Sequence, residues 1–302
     1  MEAPVSEILV ALLRSTLDAG PALVFASLGA VVSERAGIIN VGVEGMMRAG
    51  ALSAAVVALV LPTPLGIVAG MAAGACLGLV HGWLCVRLRA DQVVSGMAIN
   101  LVMLALGTFL LEAFFSPSGT PSIRQLERGL WGVGPLSYLA IALPFALHFA
   151  LSKTVWGLRV KAVGEKPSAL AVTGVSVARL RLTCVAMSGA LAGLGGAALS
   201  TTVLDRFEHH MPAGMGFMAV AAMVFGRWTP LGAAGAAAFF SFGNAVRIGL
   251  QTSAPEVLET VPAGVLLAFP YALTLLALAF QQPNMGTAPA SLGRPHDGEL
   301  SA

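Results

Sequence analysis

The 302-residue chain is 57% hydrophobic and 11% charged, and its net charge is +2. A soluble domain carries roughly 25% charged residues. This chain has too few to cover a folded surface, so we predict an all-α integral membrane protein. The small net charge gives no case for nucleic acid as a partner. The acidic start MEAPVSE lacks the basic region of a cleaved signal peptide.

The apolar runs predict about nine transmembrane helices, with eight to ten as the range, because a helix needs about 20 apolar residues to cross a bilayer. Residues 1–17 form a weak amphipathic segment that we place at the membrane interface, ahead of a transmembrane domain over 18–280. The polar residues 281–302 are typical of a disordered tail. The short span near 214–227 is a candidate for a re-entrant segment, which needs a protein-lined cavity. The predicted spans are 18–33, 45–61, 65–86, 93–115, 133–151, 183–203, 214–227, 231–250 and 261–280.

The lysines and arginines set the predicted orientation, because cytoplasmic loops carry an excess of positive charge. The loop 152–181 is by far the most basic, so we place it in the cytoplasm. Alternation from this loop puts loops 116–130, 204–213 and 251–260 outside and the C-terminus in the cytoplasm. The basic residues of the loop are Lys153, Arg159, Lys161, Lys166, Arg179 and Arg181.

A repeat is visible in the motif TPLG, which occurs at Thr63–Gly66 and again at Thr229–Gly232. Sliding the chain by the same offset lays Gly29 on Gly195. The second copy is displaced from the first by five spans. Because five is an odd number, the two copies have opposite orientations in the membrane, as in many transporters. The alternative is coincidence in a Gly- and Ala-rich sequence. The predicted halves are about 18–115 and 183–280.

The third predicted span carries a glycine at every fourth position, which lets another helix approach closely. We interpret this stripe as a packing seam, either within the chain or against a partner subunit. Pore lining is the alternative. The stripe consists of Gly66, Gly70, Gly74, Gly78 and Gly82.

The sequence lacks the common motifs of nucleotide and catalytic sites. The dipeptide Gly-Lys never occurs, so the chain has no P-loop, and HExxH, GxSxG and CxxC are also absent. The chain is therefore predicted to bind no cofactor and to catalyse no reaction itself. An intramembrane enzyme would need a dyad or a metal set, and the sequence offers no convincing one.

Polar side chains within the apolar runs are functional candidates, because they are costly in hydrocarbon unless they meet partners or water. We predict that Asn40, Glu44, Asn100 and, less directly, Asn244 line or support a translocation path. Glycine-rich sequence around Asn40 and Glu44 is expected to break the helix there. The alternatives are helix-to-helix hydrogen bonding by the amides and an ion pair between Glu44 and Arg48, one turn apart.

The basic loop contains a short predicted helix. Pro167 and Ser168 are residues that favour a helix start, and Gly174 favours its end. Such a helix either lies on the membrane surface or docks on another protein, and its low amphipathicity favours docking.

Four segments together resemble the permease subunit of bacterial ABC importers for nucleosides and simple sugars, in the superfamily of the ribose and branched-chain amino acid permeases. The resemblance extends over about 18–280. It implies a multi-pass protein of the plasma membrane that works with a second related permease, a cytoplasmic ABC ATPase and an extracytoplasmic substrate-binding lipoprotein. The segments are ERAGIINVGVEGMM, DQVVSGMAIN, GLRVKAVGEKPSAL and GMGFMAVAAMVFGRWTPLGA.

The resemblance also implies that the short helix of the basic loop couples the permease to its ATPase. Lys166 stands where the family usually has Asn, which puts the local helix cap in doubt. From the residues alone, a proton- or sodium-coupled transporter with Glu44 as the titrating group stays open, although the large basic loop suits an ATPase partner better. The positions that match the coupling region are Gly164, Glu165, Pro167, Ser168 and Ala169.

Overall fold

The computed structural model describes residues 5–116, 119–129, 132–253 and 288–294. Over these residues the fold is all-helical, and the sole β-type pairing is an isolated bridge between Ser116 and Gly119. The helices are α1 (Val5–Arg35), α2 (Val43–Ala58), α3 (Thr63–Val86), α4 (Gln92–Phe114), α5 (Pro135–Lys153), α6 (Val155–Glu165), α7 (Pro167–Ala171), α8 (Val177–Ala198), α9 (Met215–Phe225) and α10 (Pro230–Ser253). A π-helical turn, Leu199–Val203, extends α8.

Each predicted span up to residue 250 coincides with a helix, which confirms a helical protein with apolar spans. By length and composition, five helical stretches within the described residues can cross a membrane. The count of nine spans remains a prediction, because α2 and α9 are short and the span 261–280 lies outside the described residues. The five stretches are Leu12–Arg35, Thr63–Val86, Gln92–Phe114, Pro135–Lys153 and Val177–Val203.

The first helix differs from the prediction, because α1 runs without a break through the expected boundary between residues 17 and 18. Pro21 lies inside this helix and cannot donate to the carbonyl of Leu17, four residues earlier. That carbonyl instead accepts a hydrogen bond of 2.7 Å from the Ser137 hydroxyl of α5. A neighbouring helix thus satisfies the group that proline frees, so the helix continues.

The C-terminal prediction also needs correction. Residues 288–294 pack against the helices, and Ser291 is only 7% exposed. These seven residues are therefore ordered, whereas the expectation of a disordered tail remains a prediction for 281–287 and 295–302, which lie outside the described residues. The segment's composition resembles a tail, but its backbone and its serine find polar partners on the folded helices, as described below.

The glycine stripe forms a packing seam within the chain. A Cβ added at Gly74 would lie 2.1 Å from the carbonyl oxygen of Gly189 in α8, and a Cβ at Gly189 would lie 2.2 Å from the oxygen of Gly74. Gly78 likewise faces the carbonyl of Val185. Only glycine allows such backbone contact, so the seam brings α3 against α8 at van der Waals distance.

Two contacts between α1 and α8 are related by the TPLG offset. A Cβ at Gly29 would lie 2.7 Å from the carbonyl oxygen of Ser188, and a Cβ at Gly195 would lie 2.5 Å from that of Ala22. Adding the offset to Gly29 gives Gly195, and subtracting it from Ser188 gives Ala22. The second contact is therefore the first one with the two helices exchanged. The same exchange relates α3, which packs on α8 and α2, to α10, which packs on α1 and α9.

Candidate translocation and coupling sites

The loop between α1 and α2, residues 36–42, is the centre of the first candidate site. Its second residue is Gly37, whose φ of +86° favours glycine. The N–H of Gly37 donates to the Glu34 carbonyl and that of Ile38 to the Ser33 carbonyl, which closes the C-terminus of α1. We call residues 36–42 the α1–α2 loop.

Side chains from α3 and α4 satisfy the backbone of this loop. The Ile39 N–H donates to Gln92 Oε1 at 2.7 Å, and the Ile39 carbonyl lies 2.9 Å from His81 Nε2. The other ring nitrogen of His81 lies 3.0 Å from the Ser95 hydroxyl. Irregular backbone at membrane depth must find such partners, so these side chains explain why the chain can turn here.

Asn100 joins the loop to the start of α2. Its Nδ2 donates to the Val41 carbonyl at 3.0 Å, and its Oδ1 accepts the Gly45 N–H at 2.8 Å. A single amide therefore satisfies one acceptor before the helix and one orphan donor within its first turn. This role needs both ends of the amide.

Asn40 is fully buried and bonds to the second half of the chain. Its Nδ2 donates to the Ser188 hydroxyl of α8 at 2.9 Å, and Met46 Sδ lies 3.5 Å from the same nitrogen. Its Oδ1 has no donor among the described residues. A buried acceptor without a donor costs free energy, which keeps Asn40 a functional candidate.

Glu44 binds the N-terminus of α9. Its Oε1 accepts the Gly214 N–H at 2.8 Å, and its Oε2 accepts the Gly216 N–H at 2.6 Å. A carboxylate is favoured there, because the first N–H groups of a helix lack partners and carry partial positive charge. Gly214 has a φ of +86°, which fits glycine at this turn.

Arg48, one turn after Glu44, holds the same stretch of chain from its other end. Its Nη2 donates to the His209 carbonyl at 2.7 Å, and its Nη1 donates to the Leu104 carbonyl at 3.4 Å. Arg48 therefore bonds to the backbone at the start of residues 209–216, and Glu44 bonds to the backbone at the end of this stretch. They do this in place of the ion pair considered above.

Three of the four predicted path residues thus come together. Asn40, Glu44 and Asn100 lie around the α1–α2 loop and the first turn of α2, whereas Asn244 lies in a different helix, α10, and is half-buried. The structure also places a polar cluster at the end of α1. Trp228 Nε1 donates to Glu34 Oε2 at 2.6 Å, and Arg35 Nε donates to the Trp228 carbonyl at 2.6 Å.

That cluster was missed by sequence reasoning, although a signal was present. Glu34 and Trp228 lie in two of the four segments that carry the family resemblance. Arg181 and Ser291 were missed as well. Arg181 counted only as a loop charge, yet it is fully buried, and nothing in the tail composition singles out Ser291.

The proposed coupling region, residues 164–174, contains the end of α6 and all of α7. Thr154 begins α6, because its hydroxyl accepts the Gly157 N–H at 3.2 Å and donates to the Ala150 carbonyl at 2.6 Å. At the other end, Gly164 packs against α1. A Cβ there would lie 2.1 Å from the Arg35 carbonyl oxygen, so α6 fits against α1 only with glycine at this position.

Helix α7 projects from this base. Leu170 is buried at 6% exposure and anchors the helix, whereas Ser168 and Ala169 are exposed and Val172, just beyond, is 87% exposed. Lys166 precedes α7 without a side-chain cap, so its start relies on Pro167 at the first position. A single exposed valine is ordinary on a protein surface, so the docking role of α7 remains a prediction.

Comparison with known proteins covers most of the chain. Residues 12–270 match the family described as "Branched-chain amino acid transport system / permease component". The chain is 37% identical to the guanosine ABC transporter permease NupQ of Bacillus subtilis, over 90% of this chain and 92% of the relative. It is also 37% identical to the nucleoside ABC transporter permease NupC of Lactococcus lactis, over 85% and 87%. A glucose ABC transporter permease of Haloferax volcanii, TsgB13, is 26% identical over 81% and 72%.

Proposed function

The chain belongs to the family of branched-chain amino acid transport system permease components, and we propose that it is the membrane-spanning permease subunit of an ABC importer for nucleosides, with simple sugars as the neighbouring substrate class. The observation that carries this proposal is the similarity to a guanosine and a nucleoside permease along nearly their whole length. The apolar helices fit this role. The chain itself is a transporter subunit and not an enzyme.

Transport is powered by a separate ABC ATPase. The sequence contains no P-loop, so the chain lacks the usual means of binding ATP. We assign ATPase contact to α7 and the end of α6, with Gly164, Glu165, Pro167, Ser168 and Ala169 as the coupling residues. The exposure of Ser168, Ala169 and Val172 supports this assignment.

We propose a multi-pass protein of the bacterial plasma membrane with a cytoplasmic C-terminus. Residues 288–294 contact the end of α6, so they lie on the same side of the protein as the most basic loop, which the charge rule places in the cytoplasm. At the other end of α8, Thr120 and Phe207 bond the loops 119–129 and 204–214 together. That outer surface is where an extracytoplasmic binding protein delivers substrate.

The translocation path is proposed to run beside the α1–α2 loop and to be completed by a second related permease subunit. Asn40, Glu44 and Asn100 support it from the first half, and Asn244 from the second. The exchanged contacts of Gly29 and Gly195 support an inverted repeat with halves of about 18–115 and 183–280. Ion-coupled transport by Glu44 has no such support, because both carboxylate oxygens already cap α9.

Reconstitution tests the proposal. The chain is placed in liposomes with its ATPase and second permease, with ATP enclosed in the lumen on the side of the ATPase. Uptake of radiolabelled guanosine is then measured with the binding protein added outside. We expect other unlabelled nucleosides to reduce guanosine uptake more strongly than glucose does. An ATPase variant without its P-loop lysine is the control. Uptake by the chain alone under a proton or sodium gradient would contradict the proposal.

A further inference from the structure

The segment 288–294, which we call the C-terminal segment, lies across the junction of α1, α6 and α8. Ser291 is its buried centre. Its Oγ lies 2.7 Å from the Gly164 carbonyl oxygen and 3.0 Å from that of Val163, and its N–H donates to the Gly164 carbonyl at 2.8 Å. The segment therefore binds the Val163 and Gly164 carbonyls in the last turn of α6, which lack intrahelical partners, as a cap supplied from far along the chain.

A buried arginine fastens the same segment to α8 and α1. Arg181 is fully buried, and its guanidinium donates to the chain just after the end of α1 and twice to the C-terminal segment. Its Nε bonds to the Ala36 carbonyl at 3.2 Å, its Nη2 to Ser291 Oγ at 3.3 Å and its Nη1 to the Arg294 carbonyl at 3.3 Å. A buried guanidinium is stable only when its donors are used, so the C-terminal segment completes the environment that Arg181 requires.

The segment also rests on the first turn of the α1–α2 loop. The Gly293 N–H donates to the Gly37 carbonyl at 3.2 Å. A Cβ at Gly37 would lie 2.8 Å from Ser291 Oγ, so the two stretches are in direct contact. At its other end, the Ala290 N–H donates to Glu165 Oε2 at 3.3 Å, next to the start of α7.

These contacts connect the proposed coupling helix to the loop that carries Asn40. We propose that the C-terminal segment is a positioning strap, which transmits displacement of α6 and α7 to the α1–α2 loop and thus to the translocation path. The inference rests on the coupling role assigned above to α7. Mechanical transmission requires a contiguous set of packed and hydrogen-bonded groups, and the strap supplies one from Glu165 to Gly37.

Two truncations test the strap in the assembled complex. One chain ends at residue 287 and lacks the C-terminal segment, and the control ends at residue 294 and keeps it. Guanosine uptake and ATP hydrolysis are measured together in liposomes. We expect the control to match the full chain. We expect the shorter chain to hydrolyse ATP but to take up guanosine with at least about fivefold lower yield per ATP, since one typical hydrogen bond already corresponds to about fivefold and the truncation removes several.

A second pair of variants keeps the test decisive if the shorter chain fails to assemble. Ser291→Ala removes the hydroxyl contacts with the backbone intact, and Ala288→Ser, at an exposed position of the same segment, is its matched control. Hydrogen exchange of residues 36–42 provides a readout besides transport. We expect Ser291→Ala to raise exchange there and to lower uptake per ATP, and Ala288→Ser to do neither.

The strap proposal would be overturned if Ser291→Ala and the shorter chain both kept the parent chain's hydrogen exchange at residues 36–42 and its uptake per ATP. Ala169→Trp is measured in parallel to separate this failure from failure of the coupling assignment. If Ala169→Trp transports like the parent chain, the coupling assignment is wrong and the strap falls with it. If Ala169→Trp is inactive while both strap variants stay fully coupled, the strap alone is wrong.

Discussion

Glu44 and Gly216 form a close contact between the starts of α2 and α9. The Gly216 N–H donates to Glu44 Oε2 at 2.6 Å, and a Cβ at position 216 would lie 2.5 Å from the Glu44 Cα. The starts of α2 and α9 therefore meet backbone to backbone, with a carboxylate sealing the contact. Displacement of one of these short helices must displace the other or break the cap.

Replacing this carboxylate should impair transport without blocking insertion. Glu44→Gln keeps an acceptor for one N–H but turns an amide NH₂ toward the other and removes the charge. A hydrogen bond to a charged group contributes about 1.5–3 kcal/mol, so α9 should lose its fixed position. We expect about tenfold lower guanosine uptake per folded complex, since 1.4 kcal/mol corresponds to a factor of about ten.

The control for this prediction is Glu299→Gln, in the stretch beyond residue 294 that the truncation control already removes. It makes the same chemical change away from the cap and should leave uptake unaltered. Wild-type uptake by Glu44→Gln would show that the α9 cap does not matter for transport.

Gly164 should tolerate no side chain. Gly164→Ala places a Cβ 2.1 Å from the Arg35 carbonyl oxygen, so α6 must separate from α1. Gly235→Ala is the matched control, because a Cβ there meets nothing within 4 Å and alanine favours a helix by roughly 1 kcal/mol over glycine. We expect Gly164→Ala to lower the thermal unfolding midpoint in detergent and Gly235→Ala to maintain or raise it. Equal midpoints would contradict the tight α1–α6 packing.

The helix positions could be predicted from the sequence because long apolar runs end at strong breakers. The second TPLG motif locates the start of α10, just as the first locates that of α3. The continuity of α1 past residue 17 could not be predicted, because it depends on Ser137 of α5 bonding the carbonyl that Pro21 leaves free. That compensation comes from a residue far away in the sequence.

Three polar residues of the candidate site could be singled out from the sequence, but their contacts could not, and their role in transport remains a prediction. Asn40, Glu44 and Asn100 stand out because polar groups in apolar runs need partners. Their partners are mostly backbone groups, such as the Val41 carbonyl and the Gly216 N–H, which every residue possesses and no sequence pattern reveals. Ser291 was beyond prediction for the same reason, since its acceptors are the carbonyls that end α6.

The exposed face of α7 gives a test of the coupling assignment. Ala169→Trp adds a large side chain at an exposed position, where it should block docking of the ATPase without disturbing the helix bundle. We expect normal membrane insertion, loss of ATPase co-purification and no ATP-driven uptake. Ala169→Ser, which changes the volume little, should behave like the parent chain. ATPase binding and transport by the tryptophan variant would refute the assignment.

The two buried amides should respond differently to truncation. Asn100→Ala leaves the Val41 carbonyl and the Gly45 N–H without their partner, and a buried unpaired group costs about 1–3 kcal/mol. We therefore expect markedly less folded complex. Asn40→Ala loses one bond but also removes an Oδ1 that has no donor among the described residues, so its cost in stability should be smaller.

Asn40 can then be tested as a path residue, because its effect on transport can be separated from its effect on folding. Ser188→Ala breaks the same 2.9 Å hydrogen bond but leaves the Asn40 amide in place, and it serves as the matched control. We expect Asn40→Ala and Ser188→Ala to unfold at similar temperatures, with guanosine uptake per folded complex reduced several-fold more in Asn40→Ala. The reason is that only Asn40→Ala removes the Oδ1 acceptor, which is buried in this conformation and which a polar solute would meet only when the path opens. Equal uptake by the two variants would identify the Asn40 amide as a helix-packing group and would place the solute's contacts elsewhere.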